Sequence, residues 1–187
     1  MIYNKNQQSC DCAPGCCQEI NKNEKRKDII IDFLFLDLSV CTRCQGTDAS
    51  LEESITEVAK VLETTGRQVV VNKIHINSKE LAIKHRFVTS PTIRINGKDI
   101  QLDVKESLCE SCGDLCGDEV DCRVWVHEGK EYGVPPKAMI TEAILKEVYS
   151  NAGTPANEHQ YELPENLRKF FAAMNKENSC SCKEGCY

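Results

Sequence analysis

Two cysteines separated by two residues, Cys41-Thr42-Arg43-Cys44, stand between a nearly continuous apolar run and an amphipathic stretch. The run from Asp28 to Leu38 reads as a strand covered on both faces, because its apolar residues do not alternate with polar ones. After the pair, Leu51, Ile55, Val58, Ala59 and Leu62 recur at helical spacing. A thiol at such a strand-to-helix junction faces unsatisfied N–H groups and the positive end of the helix dipole, which favours thiolate. A second thiol two residues further on can reach the first and resolve a mixed disulfide. One junction therefore constrains both the local fold, a βα unit, and the chemistry. Cys41 is expected to attack, ionised and reachable from solvent, with Arg43 adding positive charge, and Cys44 to resolve.

The helix start is ambiguous by two turns, since Thr42 with Gln45 and Ser50 with Glu53 both fit a capping box. Gly66 is its expected end, and Gly46 weakens its first turn. Gln68–Ile76 is the next strand, followed by a short helix around Ser78–Lys84. Thr92–Ile95, Asn96-Gly97 and Lys98–Leu102 form a hairpin signal, because Asn-Gly accepts the positive φ angles of a tight primed turn. Arg123–His127 reads as one more short strand, and a helix follows from about Pro136 to Ser150. A last helix, about Pro164–Glu177, carries Leu163, Leu167, Phe170, Phe171 and Met174 on one face. It is short and has no basic opposite face, so it is read as docked on the domain and not as a membrane anchor.

The order β-α-β-α-β-β-α with a thiol pair at the first junction is the pattern of an α/β, thioredoxin-like mixed sheet flanked by helices. Such proteins set a cis-proline opposite the pair, and Ser90-Pro91-Thr92 is placed for that role. The catalytic set on this reading is Cys41, Cys44 and Pro91, with Pro91 shaping the substrate groove. Several stretches carry a resemblance: Phe35-Leu-Asp-Leu38, the pair with Gly46-Thr47, Ser90–Gly97, Cys116-Gly117, Cys122-Arg-Val-Trp125 and Pro135–Ile140. Together they resemble an uncharacterised prokaryotic family, a domain of unknown function with a thioredoxin-like fold, over about residues 28–150. The resemblance implies the fold and brings no activity.

Thirteen cysteines in 187 residues leave more thiols than one pair requires. Cys109, Cys112, Cys116 and Cys122 supply four within fourteen positions, enough to close a zinc site or hold an iron–sulfur cluster. The spacing matches no ferredoxin run, which makes an iron–sulfur cluster the poorer fit. Zinc or another soft metal, pairwise disulfides and plain thiols all remain open for this group. Cys41 and Cys44 could themselves be half of a four-thiolate site. His127, five residues beyond the group, could ligate but is better read as an exposed strand histidine, and His75 and His85 are read as non-catalytic. Both ends repeat Ser-Cys-x-Cys-x-x-Gly-Cys, through Cys10, Cys12 and Cys16 (with Cys17 beside them) and through Cys180, Cys182 and Cys186. Three close thiolates suit soft ions such as Cu(I), Hg(II) or As(III).

Composition narrows the partners. The net charge is −6 with no basic stripe, which argues against nucleic acid. No stretch approaches the roughly 18–20 apolar residues of a membrane span, and residues 1–8 have no signal-peptide core. A cytoplasmic location is expected, where close-set cysteines are kept reduced for catalysis or metal binding. The expected organisation is a flexible cysteine-rich tail over 1–27, a thioredoxin-like domain over 28–150 with a cysteine-rich insertion at 105–122, a linker and amphipathic helix over 151–177, and a second cysteine-rich tail over 178–187. The function expected is thiol–disulfide oxidoreduction or thiol–metal(loid) exchange. The partner is then a thiol or disulfide protein or a soft metal(loid) ion. The alternative is a non-enzymatic carrier of Zn, Cu(I), Hg or As(III).

Overall fold

Strand β1 (Ile29–Phe35) buries Ile29, Ile31, Phe33, Leu34 and Phe35, as a strand with sheet on both sides and helices above and below must. It is the inner strand of a computed structural model that describes residues 28–116, 119–149 and 161–180. β2 (Val69–His75) pairs with it in parallel, and β3 (Thr92–Ile95) pairs antiparallel on its other side. β4 (Lys98–Asp99) completes the order β2-β1-β3-β4. The β3–β4 turn is the expected Asn-Gly one, with φ of +50° at Asn96 and +81° at Gly97.

The strand ends earlier than its apolar run. Asp37 accepts the amides of Ser39 and Val40 at 2.7 Å each, and this local turn outcompetes continued pairing. It delivers the chain to α1 (Thr42–Thr64), the crossover between β1 and β2. Neither expected capping box operates, because Cys41 itself is the N-cap and its sulfur accepts the Cys44 amide at 3.3 Å. Gln45 instead reaches back to the carbonyls of Leu38 and Ser39. Gly66 follows the helix with φ of +72°, which a side chain would strain.

Cys44, Thr47, Leu51, Ser54, Val58 and Leu62 are the buried face of α1. Alongside it runs α4 (Lys137–Tyr149), burying Met139, Ile140, Ile144 and Val148. Gly46 has its reason here: a Cβ at this position would lie 2.5 Å from Val134 Cγ2. A better helix former would push the segment leading into α4 off the first turn of α1. Elsewhere α2 (Lys79–Lys84), capped by Ser78, and α5 (Glu165–Cys180) pack on one another. Leu167, Phe170 and Phe171 of α5 are buried, and Leu163 and Met174 partly so.

Between β4 and α4 the chain builds a structure that periodicity did not reveal. β5 (Glu106–Leu108) and β6 (Asp121–Arg123) form an antiparallel ribbon around α3 (Glu110–Cys116). β7 (Trp125–His127) and β8 (Lys130–Tyr132) form a second ribbon, turning at Glu128 and Gly129 with φ of +50° and +75°. Arg123–His127 is thus two strands in two ribbons, not one. The buried amide of Gln101 makes the break by accepting the Val126 N–H at 2.7 Å and donating to the Val124 carbonyl at 3.1 Å. Arg123, wholly buried, grips Asp99 through both carboxylate oxygens at 3.0 and 2.6 Å and lies over the Trp125 ring. No helix of the described residues is long and apolar enough to cross a membrane.

Candidate metal centre

The N-terminus of α1 faces the β5–α3–β6 segment. Cys41 caps the helix, Cys109 follows β5, Cys112 lies in the first turn of α3, and Cys122 is central in β6. Their four sulfur atoms lie within 4.8 Å of one another, and all four residues are buried. The Cys112 and Cys122 sulfurs are 3.4 Å apart, and neither these four nor Cys44 is in a disulfide.

Backbone geometry sets the three cysteines of the insertion. The Cys109 carbonyl accepts the amides of Cys112 and Gly113 at 3.1 and 2.9 Å, so the chain curls immediately after the first thiol. Cys109 N–H donates to the Val120 carbonyl at 2.8 Å, closing the loop so that Cys122 returns beside it. Ser111 joins the two sides: its hydroxyl accepts the Thr42 N–H at 3.4 Å and lies 3.5 Å from the Cys109 sulfur.

Arg43 does something other than lend charge to Cys41. Its guanidinium donates to the carbonyls of Ser107, Leu108, Cys122 and Arg123 at 2.9 to 3.4 Å and to the Ser107 hydroxyl. A planar fork with five donors suits such a fan of carbonyls. It clamps the β5–β6 ribbon to the first turn of α1, and so holds Cys122 against Cys41.

Cys44 sits outside the quartet. Its thiol lies 3.4 Å from the Ser90 hydroxyl, which in turn accepts the Leu36 N–H at 3.1 Å. The Ser90–Pro91 bond is cis, and the Ser90 carbonyl accepts the Arg123 N–H at 2.7 Å. One loop therefore touches Cys44 on one side and the insertion on the other.

The thiols divide their charge unevenly. Hydrogen bonds from Cys109, Cys112 and Cys122 hold Cys41 far below the ordinary thiol range. Those from Cys112 and Cys122 lower Cys109 to about 6. Cys112 and Cys122 are pushed up, chiefly as the partners that keep their protons beside Cys109. Cys44 is raised by its hydrogen bond to Cys41 and then by burial. Protons are thus rationed among crowded sulfurs, the condition that a bound cation relieves by letting every ligand ionise.

The residues singled out by sequence fare differently. Cys109, Cys112 and Cys122 come together, and among the described residues Cys41 completes the four. Cys116 ends α3, and its side chain lies outside the described residues, as does that of Cys180. Cys10, Cys12, Cys16, Cys17, Cys182 and Cys186 lie outside them altogether. Cys41 is fully buried, where the sequence pattern predicts a thiol reachable from solvent. His75 bonds the Leu36 carbonyl and His127 faces Glu142, both apart from the quartet. Arg43 as a clamp and Ser111 as a link were not foreseen, since each acts across more than 60 residues of sequence.

Residues 29–144 match a family described as a domain of unknown function, DUF2703. The chain belongs to that family. The DUF2703 span contains the whole quartet together with Cys44 and Pro91, whereas both terminal repeats fall outside it. No curated protein and no solved structure matches the chain.

Proposed function

We propose that the folded domain of this protein binds one soft metal ion, zinc in the first instance, through the thiolates of Cys41, Cys109, Cys112 and Cys122, on a thioredoxin-like scaffold. The observation that carries the reading is the packing of four buried sulfurs within 4.8 Å. With zinc–sulfur bonds of about 2.3 Å, the edge of a tetrahedral site is roughly 3.8 Å, so little movement separates this arrangement from a liganded one. An iron–sulfur cluster, with several irons and sulfides at its centre, would need its cysteines spread wider. A single ion suits the quartet better. The scaffold reading is supported by the order β2-β1-β3-β4 with β3 antiparallel to its neighbours, by the Cys-x-x-Cys pair at the start of α1, and by the cis-proline loop beside Cys44.

With all four ligands supplied by protein, the ion has no open position of the kind catalytic zinc keeps. Holding or exchanging an ion fits this better than hydrolysis. Thiol–disulfide oxidoreduction is the second reading, favoured by the contact of the Cys44 N–H with the Cys41 sulfur. The deciding experiment is elemental analysis of anaerobically purified protein, followed by the visible spectrum of the cobalt-substituted form. Cys41→Ser and Cys122→Ser are expected to lose the tetrathiolate spectrum while Cys116→Ser keeps it. The reverse pattern, with Cys116 required and Cys41 dispensable, would refute this ligand set.

A further inference from the structure

Cys41 holds two positions that one sulfur cannot serve at once. It is a member of the quartet, and it is also the first thiol of a Cys-x-x-Cys pair whose second member donates its backbone N–H to that same sulfur. Cys44 N–H donates to the Cys41 sulfur at 3.3 Å, and the Ser90 hydroxyl lies 3.4 Å from the Cys44 sulfur. Cys44 is fully buried, in no disulfide and outside the four sulfurs that fit an ion. Two residues of spacing at a helix start is the separation at which a disulfide closes.

We infer that Cys44 is a competing partner for Cys41, so that oxidation by a peroxide ejects the metal ion and the free dithiol restores the site. This rests on the metal-centre reading above. In the first step the Cys41 thiolate attacks one peroxide oxygen. The O–O bond breaks, an S–O bond forms, and the departing oxygen leaves as water after taking up a proton. Cys41 is then a sulfenic acid. In the second step the Cys44 thiol attacks that sulfur, an S–S bond forms, and the hydroxyl leaves as water with the thiol proton. The two sulfurs have together lost two electrons and the peroxide has gained them. The ion is left with Cys109, Cys112 and Cys122, one thiolate short of its tetrahedron, and it dissociates. A dithiol reductant reverses the change by taking the disulfide through a mixed-disulfide intermediate.

The test uses the full chain loaded with zinc under anaerobic conditions. Hydrogen peroxide is added, zinc release is followed with a chromogenic chelator, and disulfides are mapped after tryptic digestion. Trypsin cleaves after Arg43, so a Cys41–Cys44 bond joins two separate peptides. That linked pair is expected to appear in step with zinc release, and Cys44→Ala is expected to bind zinc normally but release it about tenfold more slowly. Zinc release from Cys44→Ala at the wild-type rate, or bonds confined to Cys109, Cys112 and Cys122 in the wild type, would overturn the gate while leaving the metal centre standing. A reduced chain that holds no zinc at the quartet would remove the centre itself. The disulfide map of the wild type decides the gate even if Cys44→Ala fails to fold.

Discussion

Helix α1 and the β5–α3–β6 segment bring cysteines to the same point, but different forces hold them there. α1 is fixed by a continuous apolar face, with Leu51, Val58 and Leu62 buried against the sheet and α4. In the insertion, Ser107 and Leu108 are exposed, and among the described side chains Val120 is the one fully buried aliphatic residue. Ordering a residue costs about 1–2 kcal/mol of backbone entropy, so the roughly 1.5–3 kcal/mol from one valine offsets only a residue or two. The insertion depends on its polar ties: Arg43 from α1, Asn166 of α5 bridging both main-chain groups of Asp121, and the buried Arg123–Asp99 pair. Its cysteines are its main buried mass. One half of the cysteine cluster is held by the core, and the other by polar ties and the packing of its own thiols.

The largest effect separating the two regions is expected from metal removal. A structural zinc contributes about 10–16 kcal/mol in small domains built around it. After chelation, amide hydrogen exchange across 105–123 should rise by orders of magnitude while β1 keeps its protection. Equal loss in both regions would show that the insertion does not depend on the ion more than the core does. Next in size come two substitutions of about 3–5 kcal/mol that act on different regions. Phe33→Ala leaves a cavity under the sheet, and Asp99→Ala strands the buried Arg123 guanidinium. Chemical denaturation with zinc content measured in parallel should show Phe33→Ala lowering global stability at unchanged affinity. Asp99→Ala should lower both, because Arg123 also anchors β6 beside Cys122.

Arg43→Met should cost about 10–100-fold in zinc affinity, the usual penalty for losing a group that orients metal ligands. Arg43→Lys should not restore it, since an ammonium cannot span the fan of carbonyls. Competition against a chelator of known affinity measures both, and full rescue by lysine would show that charge, not clamping, is what matters. The smallest effect on the fold is expected from deleting residues 1–27 and 178–187. Bound metal per chain should fall with the loss of their cysteines, while the unfolding midpoint of the remaining domain stays unchanged.

Much of the site could be read from the chain because its signals are local. The strand-to-helix junction at Cys41, the Asn96-Gly97 hairpin and the proline at 91 each depend on a few adjacent residues, and each is where the pattern puts it. The early end of β1 was hidden because a single aspartate turn outweighed an apolar run. The β5–α3–β6 segment was hidden because its elements, of three to seven residues, are too short to show a period.

The sequence alone put one thiol at the head of a helix and four more, Cys109, Cys112, Cys116 and Cys122, close enough in the chain to share a ligand. That Cys41 joins Cys109, Cys112 and Cys122, with Cys44 left beside them, came from packing. The physical reason is reach. Spacing fixes which sulfurs can meet within a turn or two of backbone, but meeting across 68 residues depends on how α1 and the insertion pack, and that is set by Arg43, Ser111 and the cis-proline loop acting together.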